Sequence, residues 1–239
     1  ICKEAGFDNA FGEAFGQYIG SVLKKAFDLT KHEVIPEEPY WDGKGLKKST
    51  VDWVVSEGDA ALFIEAKTKR LVVGAKSEIL SSQALSAELA KMACSIVQVY
   101  KAIVDYQKGL YPAGRYRKGW RIYPVVVTLE DWFLMGPKVL GELNKLVLRE
   151  LEMANLSADM LNNIPYTLCS SYELEQAVQV MNHAGITKVM GGKVTDPSKR
   201  EYALDAYIRS DFDRELHLLR CLYSAEYDEF WARHGVDPE

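Results

Sequence analysis

Asp52, Glu65 and Lys67 are the residues whose types and spacing could act together on a phosphate ester. They fall within residues 50–70, TVDWVVSEGDAALFIEAKTKR, which read as two short apolar runs around a polar turn. Val51, Trp53 and Val55 belong to the first run, Ser56-Glu57-Gly58-Asp59 is turn chemistry, and Ala61-Leu62-Phe63-Ile64 resumes the strand. Asp52 is expected inside the first strand. Glu65 and Lys67, one residue apart at the end of the second, leave the same face of a sheet. Two carboxylates and a lysine on adjacent strands predict a divalent-metal hydrolytic site. Mg²⁺, or Mn²⁺ in its place, takes oxygen ligands and keeps several waters, so Asp52 and Glu65 can share one ion. The Ala66 side chain points to the opposite face, but its carbonyl is a candidate further ligand. Lys67 would stabilise a developing hydroxide or the negative charge of an attacked phosphate.

Several elements must position these groups. Residues 7–29 are expected as a helix with Phe11, Phe15, Tyr18, Ile19, Val22, Leu23 and Ala26 on one apolar face. Gly12, Gly16 and Gly20 recur at every fourth position, which predicts close approach by a neighbouring backbone. Glu13 lies beside this glycine line. Residues 33–35 read as an edge strand ended by Pro36. Residues 42–48, DGKGLKK, read as a flexible basic loop leading into the hairpin, and Lys44, Lys47 and Lys48 are candidate phosphate contacts, as are Lys69 and Arg70 beyond it. Residues 71–82 are expected to be irregular. A long helix over 83–108 follows, with Leu85, Leu89, Met92, Ile96, Val97, Tyr100, Ile103 and Val104 as its apolar stripe and Lys91, Ser95 and Gln98 on a polar one.

The loop after it interleaves Arg115, Arg117 and Lys118 with Tyr111, Tyr116 and Trp120, a mixture suited to a nucleic-acid surface. Residues 121–129, RIYPVVVTL, read as a buried strand whose N-terminal end Pro124 places at an irregularity or at the sheet margin. A helix over 137–154, a strand over 165–169, a helix over 172–183 and a largely helical tail over 198–233 complete the pattern, which is α/β with a mixed sheet.

Composition bounds the alternatives. A chain of 239 residues, 48% hydrophobic and 26% charged, can bury one core, with or without an appendage. No apolar run approaches the ~20 residues of a membrane span, and Ile1-Cys2-Lys3-Glu4 lacks the features of a signal peptide. Four scattered cysteines without CxxC spacing argue against structural zinc or a disulfide framework and predict a reducing cytoplasm. The net charge of −5 divides unevenly: residues 1–121 carry 18 Lys/Arg against 15 Asp/Glu, and residues 122–239 carry 11 against 19. The half holding the trio is therefore the basic one, as contact with a phosphate backbone requires. Lys193 follows Gly191-Gly192, but Thr187 and Val194 stand where a phosphate loop needs Gly and Ser or Thr. No G-x-S-x-G or H-E-x-x-H occurs.

Asp52 followed by Glu65-Ala66-Lys67 at the end of an apolar strand resembles the core of the PD-(D/E)xK nucleases, the restriction-endonuclease-like superfamily. The resemblance implies a mixed central sheet flanked by helices and Mg²⁺-dependent hydrolysis of DNA. It implies that Asp52 and Glu65 bind metal and that Lys67 positions or activates water. It further implies an acid on the first helix, which would be Glu13. The polar residue it implies on the later helix would be Gln98 or, second, Lys91. It covers roughly the first 130 residues, so that residues 1–135 are expected as a nuclease-like core and 136–239 as a strand and helices packed on that core or forming a helical C-terminal appendage. Val51 replaces the proline of the family name, and Ala102 stands where helicase-associated members carry Tyr after Gln. The partners implied are DNA and either a second copy of the chain or a larger restriction or defence complex. The rival expectation is a catalytically silent nuclease-fold module that binds nucleic acid or assembles with protein.

Overall fold

The computed structural model describes residues 7–68, 83–112, 117, 119–132 and 137–234. Its centre is a five-stranded sheet of β1 (Glu33–Pro36), β4 (Trp53–Glu57), β5 (Ala60–Lys67), β6 (Arg121–Thr128) and β7 (Thr167–Ser170), in that spatial order. β1, β4 and β5 are antiparallel neighbours, whereas β5, β6 and β7 run parallel. A separate ribbon of β2 (Pro39–Trp41) and β3 (Lys47–Ser49) is inserted between β1 and β4. Residues 42–48, expected as a flexible loop, therefore contribute in part to a paired hairpin.

β5 is the centre of the molecule. Its residues from Ala60 to Glu65 are all buried, and their alternation feeds two separate cores. Ala60, Leu62 and Ile64 face α1 (Phe7–Ala26), while Ala61 and Phe63 face α2 (Gln83–Gln107). The α2 side also holds α3 (Pro137–Met153) through Leu143, Val147 and Leu151. The α1 side is completed by α4 (Ser171–Ala184), α5 (Ile186–Thr195), α6 (Leu204–Asp211) and residues leading to α7 (Ser224–His234). Residues beyond 136 thus supply an edge strand of the common sheet and cover both of its faces.

Pro124 lies just before the point where β6 begins to pair with β7 at Val125, so its missing N–H falls at the margin of that ladder. The glycine line on α1 meets a side chain, not the expected backbone. A Cβ at Gly20 would lie 2.0 Å from the Trp53 ring, and the Trp53 indole N–H donates to Gly16 O at 2.9 Å. Gly12 and Gly16 have nothing within 4 Å of a Cβ position. Among the described residues no helix is long and apolar enough to cross a membrane.

Candidate active site

Strand register assembles the charged residues. Trp53 pairs with Ile64, so Asp52, one residue before β4, stands opposite Glu65. Asp52 is at the turn into the strand and not inside it; that leaves its carboxylate free of the ladder, and Oδ2 accepts the Ala66 N–H at 2.7 Å. The residue is fixed from the other side by Trp53, whose ring is locked against α1. Lys67 Nζ is 2.6 Å from Glu65 Oε1. Glu65 and Lys67 continue the alternation of Ala61 and Phe63 and so emerge on the α2 side of the sheet. The N–H and C=O of one residue leave a strand on the same side, so the Ala66 carbonyl is directed towards the Asp52 side.

A further carboxylate arrives by the same register. Pro36 pairs with Trp53, which places Glu37, the next residue, beside Asp52 on the third strand. Its charge reaches both Asp52 and Glu65. Sequence reading missed Glu37 because its relevance depends on β1 pairing with β4. The available signal was Pro36 ending an edge strand at a position where an acid follows.

The site holds more negative than positive charge. Glu65 is only 3% exposed, and burial pushes its carboxyl up to about 7, with Asp52 and Glu37 adding to the rise and Lys67 opposing it. Burial also raises the Asp52 carboxyl, against the pull of the Ala66 N–H and of Lys67. One lysine therefore does not neutralise the group. Among the described residues no three His, Cys, Asp or Glu side chains converge to hold an ion by themselves. The donor set of Asp52, Glu65 and the Ala66 carbonyl still suits Mg²⁺, a hard cation that takes oxygen ligands and fills its remaining positions with water.

The peripheral residues are placed less favourably. Glu13 is exposed on α1, the layer on the opposite face of the sheet from Glu65 and Lys67. Gln98 is exposed on α2, and Lys91 is bound to Glu88 at 2.6 Å. Lys44 and Lys47 are exposed on the hairpin. Lys48 turns inward: its Nζ is 2.7 Å from Asp105 Oδ2, which also accepts the Tyr40 hydroxyl at 2.8 Å. It anchors the hairpin to α2. Arg117 is exposed, with its backbone held by the Tyr106 hydroxyl. Lys69, Arg70, Arg115 and Lys118, with the stretch 71–82, lie outside the described residues.

A cavity of about 740 Å³ lies beside the edge strand β7, lined in part by Thr128, Tyr166, Glu173 and Lys193. Its buried charges are already committed. Lys193 donates to the carbonyls of Lys199 and Tyr202, and Glu173 accepts the backbone N–H groups of Ser170 and Asp205. Both act as braces for the loop between α5 and α6 and for the start of α4.

The chain matches no protein-family model and no curated protein. Among solved structures it is similar to the small subunit of the heterodimeric restriction endonuclease R.BspD6I. The identity is 12%, the coverage 87% of this chain and 90% of that one, and the TM-score 0.32. The class of molecule that the fold defines is an α/β protein with a mixed sheet flanked by helices, the arrangement that the PD-(D/E)xK resemblance implied.

Proposed function

We propose that the chain is a Mg²⁺-dependent nuclease of the PD-(D/E)xK type that hydrolyses phosphodiester bonds in DNA. The observation that carries this reading is a buried carboxylate, Glu65, set opposite Asp52 and bonded to Lys67 at the end of the central strand. Burying such a group is costly, and Lys67 does not offset the cost, since the Glu65 carboxyl stays raised to about 7; packing alone gives it no purpose. Asp52, Glu65 and the Ala66 carbonyl would hold the ion. When bound, that ion lowers the pKa of a water and neutralises phosphate oxygens. Lys67, held beside the site by Glu65, would offer its ammonium to the attacking water or to the charge growing on phosphate. Asp52 is held in place for this by the Ala66 N–H and by Trp53.

Plasmid and single-strand cleavage with Mg²⁺ or Mn²⁺ tests the proposal. Asp52→Ala and Lys67→Ala should each lower the cleavage rate by about 10²–10³-fold, the usual scale for removing one group that stabilises transition-state charge. Metal-dependent cutting that survives both substitutions overturns the assignment. Retained binding with no cutting of any nucleic acid favours the silent module. Cutting both strands of a duplex calls for two such sites, in a homodimer or a larger complex, and sedimentation on DNA would reveal either.

A further inference from the structure

The β2–β3 hairpin has two unlike faces. Tyr40 and Lys48 are directly opposed and point inward, both on Asp105. Trp41 and Lys47 are the next opposed pair, so they share the outer face. Trp41 is 61% exposed, although nothing prevents a smaller or polar residue at a surface strand position. Lys44 and Lys47 have no ion-pair partner among the described residues. The hairpin's one acid, Asp42, is taken up by the N–H groups of Lys44 and Leu46 and by Lys48. The outer face therefore presents the Trp41 indole beside Lys47, whose ammonium has no ion-pair partner among the described residues.

Its place in the chain ties it to the trio. The hairpin base is closed by Thr50 N donating to Glu38 O at 3.0 Å and Glu38 N donating to Thr50 Oγ1 at 2.9 Å. Glu37 adjoins that base, and Asp52 follows it after Val51. Trp41 is four residues from Glu37, a reach of at most ~14 Å, or a few nucleotides of a strand lying on the site. Because the inner face is pinned by Asp105, the outer one is held in a fixed orientation.

We infer that Trp41 and Lys47 form a stacking platform for an unpaired base next to the cleavage site, so that the substrate is single-stranded or frayed DNA in preference to uniform duplex. An aromatic face accepts any base and the adjacent ammonium takes the neighbouring phosphate, the combination that single-strand binding uses. A base paired inside a duplex does not offer its face. This inference rests on the nuclease reading for its substrate, but it is tested by binding.

The experiment is fluorescence anisotropy of the full chain in EDTA with a labelled single-stranded oligonucleotide and a labelled blunt duplex. Trp41→Ala should weaken single-strand binding about tenfold, within the range found for loss of one base-stacking residue, and leave duplex binding nearly unchanged. Trp41→Phe should retain most of the affinity. Lys47→Ala should lower the salt slope of single-strand binding by about 0.7. Equal weakening on both probes, no effect of Trp41→Ala, or no single-strand binding by the wild type overturns the inference. If the Trp41 effect is seen but metal produces no cleavage, the nuclease reading fails and the platform stands.

Discussion

Replacing Glu65 with Gln should stabilise the metal-free protein at alkaline pH, although it breaks a buried ion pair. Two effects compete. Removing one partner of a buried pair ordinarily costs about 3–5 kcal/mol, because the other charge is left uncompensated. Here the other charge is Lys67, whose side chain is 24% exposed and can turn to water or to Asp52. Against that, the Glu65 carboxyl is raised from 4.5 to about 7 with the pull of Lys67 already included. Its surroundings therefore disfavour the ionised form on balance. Between these two values the folded chain binds more protons than the unfolded one, so this group's contribution to stability falls as pH rises through the window. The shift corresponds to a loss on the order of 3 kcal/mol above pH 7, and to less than about 1 kcal/mol at pH 5. Gln has no proton to lose, so the variant escapes the loss. Urea unfolding in EDTA should show the variant gaining on the wild type by roughly 2–3 kcal/mol between pH 5 and pH 8. A variant-minus-wild-type difference that is equal at the two pH values, or a large destabilisation at pH 8, would instead make the pair a structural salt bridge.

Metal binding should follow the same titration. Mn²⁺ competes with a proton for Glu65, so its affinity should rise about tenfold per pH unit below 7 and level off above. Calorimetry in buffers of different ionisation enthalpy should find close to one proton released at pH 6, and an affinity flat from pH 5 to 8 would contradict the site. At the glycine line, Gly20→Ala forces the Trp53 ring to move, at a cost of about 1–3 kcal/mol for overpacking, and should lower cleavage by displacing Asp52. Gly12→Ala meets nothing and should instead stabilise the helix by about 0.8–1 kcal/mol; thermal melts that rank the two the other way would show that the ring is not pinned.

The juxtaposition of Asp52, Glu65 and Lys67 was legible in the sequence because a β-hairpin is local. Strand type, the face shared by Glu65 and Lys67, and the amphipathic helix that follows all depend on residues near one another. The misplacements share one cause: they depend on which layer or strand a distant segment joins. Glu13 has a suitable type and spacing, but α1 packs against Leu62 and Ile64, the face turned away from Glu65. Lys48 looks like Lys47 in the sequence until Asp105, more than fifty residues later, claims it. Glu37 matters only through the pairing of β1 with β4. The division of charge at residue 121 corresponds to no boundary in the fold, since β7 from the acidic half completes the same sheet as β5.

The turn between β4 and β5 decides whether there is a site at all. Taking Ser56 to Asp59 as the loop would pair Val55 with Ala60 and set Asp52 opposite Phe63. The structure pairs Glu57 with Ala60, leaving a loop of only Gly58 and Asp59. Gly58 has φ +56° and Asp59 is not left-handed, which fits the tight hairpin turn with glycine first. Each pairing is then fixed by counting outward from the loop. Five residues back from Glu57 is Asp52, and five residues forward from Ala60 is Glu65. A side chain other than glycine at position 58 would favour a longer loop, and a slip of one residue would carry a whole strand's side chains to the opposite face. Asp52 would then lose both the Ala66 N–H and its place across from Glu65. The two carboxylates meet because a glycine permits the shortest turn, and the chemistry proposed for the end of β5 is set by backbone geometry at its beginning.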